Sequence, residues 1–230
     1  MYFFDSMYFL LVLIPSLLIA GGASMLVRSA FNKYSKVGMR SGMSGGEAAR
    51  LILDKAGLYN VAIQSSHGRL SDHYDPRTQT LALSADVLNG RSLAAVGVAA
   101  HEAGHALQHA KNYAPLHVRS ALVPLAGVLS PIGFYAMFLG LFLSKYLVLA
   151  GVILFGSVLL FQLVTLPVEF DASARAKRQL VEHGIVGTDE MTGVHAVLNA
   201  AALTYVAAVM STLLTMVYYL WRSGLIGGRR

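Results

Sequence analysis

Residues 122–168 read LVPLAGVLSPIGFYAMFLGLFLSKYLVLAGVILFGSVLLFQLVTLPV, and the one charged residue among them is Lys145. About 20 apolar residues in a helix cross the roughly 30 Å of hydrocarbon in a bilayer. This stretch holds two such lengths, Leu122 to Leu143 and Tyr146 to Val168, with only Ser144 and Lys145 between them. So short a connection predicts a tight helical hairpin that returns the chain to the side it left. Met7 to Val27 and Ala196 to Leu220 have the same character, and none of the four runs contains Lys, Arg, Asp or Glu. The expected fold is therefore a mainly α integral membrane protein with about four transmembrane helices, at 7–27, 122–143, 146–168 and 196–220.

Composition agrees. The 230 residues are 55% hydrophobic and 13% charged, with a mean hydropathy of +0.56, whereas soluble domains carry about 25% charged residues. With no cysteine in the chain, a disulfide scaffold, a thiolate zinc site and a thiol nucleophile are all excluded, so any metal must be held by His and carboxylate. The net charge of +6 comes with no arginine-rich arm or nucleic-acid motif, which points to lipid headgroups rather than nucleic acid as its partner.

The first span follows Asp5 rather than a basic segment and precedes Arg28, Lys33, Lys36 and Arg40, the pattern of a retained anchor rather than a cleaved signal. The hairpin puts segments 28–121 and 169–195 on one face. They hold eleven and three of the 18 Lys and Arg residues, so the positive-inside rule makes that face cytoplasmic, with Arg222, Arg229 and Arg230 opposite.

Segment 28–121 reads as a small α+β unit. Ser44-Gly45-Gly46-Glu47 is a capping box that opens a helix carrying Ala48, Leu51, Ile52 and Leu58 and ending near Gly57. Val61 to Ile63 and Thr80 to Leu83 are β-prone, and Asp72-His73-Tyr74-Asp75-Pro76-Arg77 reads as a turn or strand end. A further helix, from about Ser92 to Ala110, contains His101-Glu102-Ala103-Gly104-His105.

Residues i and i+4 of a helix project from one face a turn apart, so His101 and His105 can clasp one zinc ion while Glu102 sits beside its open position. Zinc lowers the pKa of water towards about 7, and a neighbouring carboxylate can take the proton and pass it to a leaving amine. From 8 His and 5 Glu in the chain, chance supplies about 0.006 such matches. Gly104 costs about 1 kcal/mol inside a helix and so requires a reason, such as close packing.

A catalytic zinc takes three protein ligands. His109 lies two turns beyond His101, about 12 Å along a straight helix, and reads as a surface or supporting histidine. No glycine turn follows His105 before Tyr113 to bring back another histidine. Glu169, in Pro167-Val168-Glu169-Phe170-Asp171, is the stronger candidate because the topology puts it on the same face. The plain alternative is a solvated acid at a helix start.

His-Glu-Ala-Gly-His followed, after a hydrophobic hairpin, by Glu169-Phe170-Asp171-Ala172-Ser173 resembles the YugP-type neutral zinc metallopeptidases of bacteria, and more distantly the HtpX and CAAX-protease type of membrane gluzincins. The resemblance to the first group covers nearly the whole chain, including Asp72-His73-Tyr74-Asp75-Pro76, Val98-Ala99-Ala100-His101 and Leu198 to Tyr205. It implies a single membrane metallopeptidase domain over 1–230 with a zincin-like extramembrane unit. It also implies one zinc ion bound by His101, His105 and Glu169, with Glu102 as catalytic acid/base. The distant group has an Asp four residues after the ligand Glu, where this chain has Ser173; Asp171 is the alternative supporting carboxylate.

Supporting roles have open readings. Thr80 to Ser84 is either an edge strand that binds an extended substrate or a core strand. Asp72, His73 and Asp75 either support a zinc-ligating His, with His73 also a candidate oxyanion donor, or form an ordinary Asp-Pro turn. Tyr205 and Asn199 either face the site or bond between helices.

The leading expectation is a zinc metalloendopeptidase of the bacterial inner membrane, cytoplasm-facing, acting on membrane-associated or misfolded proteins, alone, as a homo-oligomer or with a membrane adaptor. The rivals are a site-2-type intramembrane protease, whose downstream Asp-Gly motif the spans lack, and a non-catalytic zinc-binding scaffold.

Overall fold

A computed structural model describes residues 6–68 and 71–227. In chain order its elements are α1 (Ser6–Tyr34), α2 (Gly45–Lys55), β1 (Ala62–Ser66), β2 (His73–Asp75), β3 (Thr80–Ser84), the single turn α3 (Ala85–Leu88), α4 (Leu93–Ala110), α5 (Ala114–Leu143), α6 (Lys145–Glu182) and α7 (Met191–Arg222). The protein is mainly helical. Helices α1, α5, α6 and α7 are long and apolar enough to span a membrane, and a small mixed α/β region lies outside it.

The helices outrun the apolar stretches from which they were expected. In particular, α6 continues without a break from Lys145 to Glu182 with Pro167 inside it, so Glu169 is a mid-helix residue and not a helix-start acid.

Two compact units form. The first comprises residues 1–23, 117–166 and 203–230. Here α5 and α6 make the hairpin, joined at Ser144, and glycines set their approach. A Cβ on Gly140 would lie 2.5 Å from the backbone nitrogen of Val148, and one on Gly151 would lie 2.5 Å from that of Met137. Small residues at such contacts let helix backbones meet in a solvent where apolar burial contributes nothing between helices. Val12, Met137, Val148, Val152, Tyr218 and Tyr219 form the buried cluster of this unit.

The second unit comprises residues 24–116 and 167–202. The expected capping box starts α2: the Ser44 N–H donates to Glu47 Oε2 at 2.7 Å and the Glu47 N–H donates to Ser44 Oγ at 3.2 Å. Gly57, at φ +76°, turns the chain beyond its end. Arg50 donates to the carbonyls of Leu58 and Val61 and so braces the entry to β1.

The sheet has the order β1-β3-β2, with β3 parallel to β1 and antiparallel to β2. This corrects the edge reading of Thr80–Ser84. Strand β3 is central and hydrogen-bonded on both sides, and Leu81 and Leu83 are fully buried. The segment around His73 is a short strand rather than only a turn, and the Asp-Pro turn follows it: Asp75 Oδ1 accepts the Arg77 N–H at 2.9 Å, the local bond that makes Asp a turn residue.

Ser92 caps α4 by accepting the Ala95 N–H at 3.2 Å. Fourteen of the 18 residues of α4 are buried, so it is a core helix wrapped on all sides rather than an amphipathic surface helix. Its alanines at 94, 95, 99, 100, 103 and 106 keep it thin enough for that.

Replacing Gly151 by Leu should lower thermal stability in detergent sharply, by at least the roughly 1–3 kcal/mol typical of overpacking. Gly127→Leu, where a Cβ meets nothing within 4 Å, should leave the melting temperature nearly unchanged. Fluorescence-detected unfolding of the two variants beside wild type checks this.

Candidate metal centre

Two helices of the second unit build the centre, α4 and the 167–182 portion of α6. A Cβ on Gly104 would stand 2.5 Å from the carbonyl oxygen of Ala172, so the missing side chain is what lets the backbones come this near. The close-packing reason expected for this glycine is therefore present. One turn before Ala172, Glu169 reaches the two histidines of α4.

His101 and His105, one turn apart, stand edge to face with ring centroids 4.8 Å apart. Glu169 Oε2 lies 3.2 Å from His101 Nε2 and 3.6 Å from His105 Nε2. Tetrahedral zinc with bonds of about 2.0–2.1 Å holds its donor atoms about 3.3–3.4 Å apart, so the donors fit one small cation. His101, His105 and Glu169 form a cluster able to hold a metal ion, with donor atoms all within 4.8 Å of one another.

The surroundings point the same way. Glu169 is 3% exposed, and a buried carboxylate costs several kcal/mol unless positive charge meets it. The groups beside it are two imidazoles, and a protonated ring or a cation held between the three donors would supply that charge. Glu102, on the same helix, is 8% exposed. Burial pulls the His105 imidazole down, but its contact with Glu169 and the negative charges of Glu102 and Glu169 prevail and leave its pKa above the ordinary value.

Each histidine is held from behind. His101 Nδ1 is 3.0 Å from Ser173 Oγ, so Ser173 occupies the place where the distant gluzincins have Asp. His105 Nδ1 is 2.9 Å from Gln108 Oε1. Asp171 meets neither histidine directly; it accepts from Gln108 Nε2 at 2.8 Å and from Arg175 Nε at 2.5 Å. Arg175 in turn lies over the ring of Tyr113, 5.6 Å from its centroid.

The other candidates have the following surroundings. His73 is exposed, with Nδ1 on the Ser71 carbonyl, Asp72 accepts from the Ser84 N–H and hydroxyl, and Asp75 pairs with Arg77. His109 Nδ1 bonds the Tyr74 hydroxyl at 2.9 Å, joining the end of α4 to β2. Asn199 accepts from Lys177 at 3.0 Å, and half-buried Tyr205 belongs to the first unit. Sequence reasoning missed Gln108. Its signal was its position: a polar residue three places after His105 on a helix shares that face.

Four membrane-length helices with a buried His, His, Glu cluster define a membrane-embedded, metallopeptidase-like protein. The family whose description is "Putative neutral zinc metallopeptidase" matches residues 9–224, and the chain belongs to it. Over 214 residues it is 44% identical to the "Putative membrane protease YugP" of Bacillus subtilis (strain 168), spanning 93% of this chain and 95% of that protein. No solved structure matches. Family and cluster together give the chain the equipment of an enzyme.

Gly104→Ala isolates the packing role by its sign. Intrinsic propensity would stabilise α4 by about 1 kcal/mol, whereas the new methyl would push Ala172 and Glu169 away from the histidines. The expected outcome is zinc affinity lower by at least about tenfold, measured by competition with a chromophoric chelator.

Proposed function

We propose that the protein is a zinc-dependent membrane metalloendopeptidase that hydrolyses peptide bonds of membrane-associated or misfolded proteins at the cytoplasmic boundary of the bacterial inner membrane, with residues 1–230 acting as one catalytic unit. The observation that carries this reading is the convergence of the donors of His101, His105 and Glu169, with Glu169 Oε2 within 3.2–3.6 Å of both histidines and a further carboxylate, Glu102, next to His101 in the chain.

When bound, zinc supplies Lewis acidity, polarising a carbonyl and lowering the pKa of water. His101, His105 and Glu169 hold it by three donors and leave one position for substrate or water. Glu102 is the acid/base: its carboxylate takes the proton of the attacking water and delivers it to the departing amine. Ser173 and Gln108 hold the two imidazoles in place. Since β3 is paired on both sides, the edges open to an extended substrate are β1 and β2, and β2 is the one that meets α4 through Tyr74 and His109. A main-chain ladder along that edge would align a peptide by backbone bonds alone.

The burial of α4 among α2, the sheet and the 167–202 segment weighs against the site-2-type reading, in which the motif helix itself lies in the bilayer.

Metal analysis of detergent-purified protein should find near one zinc per chain in wild type and in Glu102→Gln, and a marked loss in Glu169→Ala. Peptidase activity should fall in Glu102→Gln by the 10²- to 10⁴-fold typical of lost acid–base catalysis. Full activity in that variant would favour the non-catalytic scaffold. Orientation has its own test, simple because the chain has no cysteine. A cysteine at exposed Ser65 should resist a membrane-impermeant maleimide in intact spheroplasts, and one at Ser144 should react; the reverse pattern would put the site outside.

A further inference from the structure

Gln108 is fully buried and spends its side chain on three bonds. Its Nε2 donates to the Val168 carbonyl at 2.7 Å and to Asp171 Oδ2 at 2.8 Å. Both partners only accept, so the amide has one workable orientation; turned over, its oxygen would face two oxygens. That orientation leaves Oε1 pointing at His105 Nδ1, 2.9 Å away. An amide oxygen can only accept, so Nδ1 must carry a hydrogen, and in the neutral ring the lone pair of His105 is then on Nε2, the atom facing Glu169.

His101 differs. Its Nδ1 meets the hydroxyl of Ser173, which can donate or accept and so accommodates either arrangement of the ring hydrogen. One histidine has its tautomer dictated by the fold and the other does not.

We propose that Gln108 is a positioning residue that locks His105 in the Nδ1–H form, with Asp171 as the anchor that fixes the amide and Arg175 as the anchor of Asp171. The lock acts before any metal arrives, so His105 is the preformed donor of the cluster. The neutral amide does this without adding a charge next to buried Glu102 and Glu169. Isolated neutral imidazoles mix two tautomers, and a site that admits only one wastes none of its affinity on rearranging the ring.

The inference rests on the reading of His101, His105 and Glu169 as the metal-binding set, and the experiment separates the two. In metal-free wild type labelled with ¹⁵N-histidine, at a pH alkaline enough for the imidazole to be neutral and with the His105 signals assigned by their loss in His105→Gln, Nδ1 should give the protonated and Nε2 the unprotonated type of resonance. A neutral ring with its hydrogen on Nε2 would overturn the proposal whether or not the protein binds zinc.

Zinc affinity then tests the consequence. Gln108→Leu should bind zinc about 10- to 100-fold more weakly. Gln108→Met, close to Gln in length but without an amide, should bind zinc as weakly as Gln108→Leu. Wild-type affinity in a folded Gln108→Leu would sink the positioning role while leaving the zinc site intact. Recovery of wild-type affinity in Gln108→Met would reduce Gln108 to packing. If wild type itself binds no zinc, the metal reading fails, and the resonance measurement still decides the tautomer. Should Gln108→Leu not fold, the wild-type resonances and Gln108→Met decide between the same alternatives.

Discussion

Everything at the metal centre depends on how near α4 and the 167–182 part of α6 can come to each other. Donors on two helices meet within 3.2–3.6 Å only because Gly104 presents no side chain to Ala172. Glycine is a poor residue for a helix interior, costing about 1 kcal/mol relative to alanine. The helix that carries it is stabilised from all sides by burial, and its alanines keep every neighbouring element close. Local propensity is sacrificed at the one turn where tertiary geometry needs the room, as is usual where a site is built into a core.

Around that contact the polar groups are arranged in a graded way. Glu169 is buried and flanked by imidazoles, Asp171 is shared between an amide and a guanidinium, and Arg175 rests on the Tyr113 ring. Behind the histidines, on the side away from Glu169, charge thus increases outward, with neutral Ser173 and Gln108 nearest to the rings. A carboxylate placed directly behind His105 would add a third negative group to a pocket already holding Glu102 and Glu169. The amide keeps the support and omits that repulsion.

Much of the design was legible in the residues, and the misses have physical causes. The membrane helices were plain because length without charge is itself the signal, and the capping box at Ser44 and Glu47 and the i, i+4 histidines depend only on local geometry. Strand order does not. Thr80 to Ser84 shows the same alternation in the centre of a sheet as at its edge, and β2 is three residues long beside a strong Asp-Pro turn. Glu169 was ambiguous for a different reason: proline followed two places later by an acid is the signature of a helix's first turn, yet here the helix had begun more than twenty residues earlier. Gln108 stood on the correct face, but its bonding partners Val168 and Asp171 belong to a distant segment, and only the assembled fold brings them to it.

The order of the donors along the chain also governs when the centre can exist during biogenesis. His101 and His105 leave the ribosome first, followed by the 47 apolar and nearly uncharged residues 122–168, and Glu169 comes immediately after them. At ribosomal rates of about 5–20 residues per second, a nascent chain therefore spends several seconds as a two-histidine, incomplete chelate. Because Glu169 follows the hairpin directly in the chain, the three-donor cluster cannot be complete until the whole hairpin has left the ribosome.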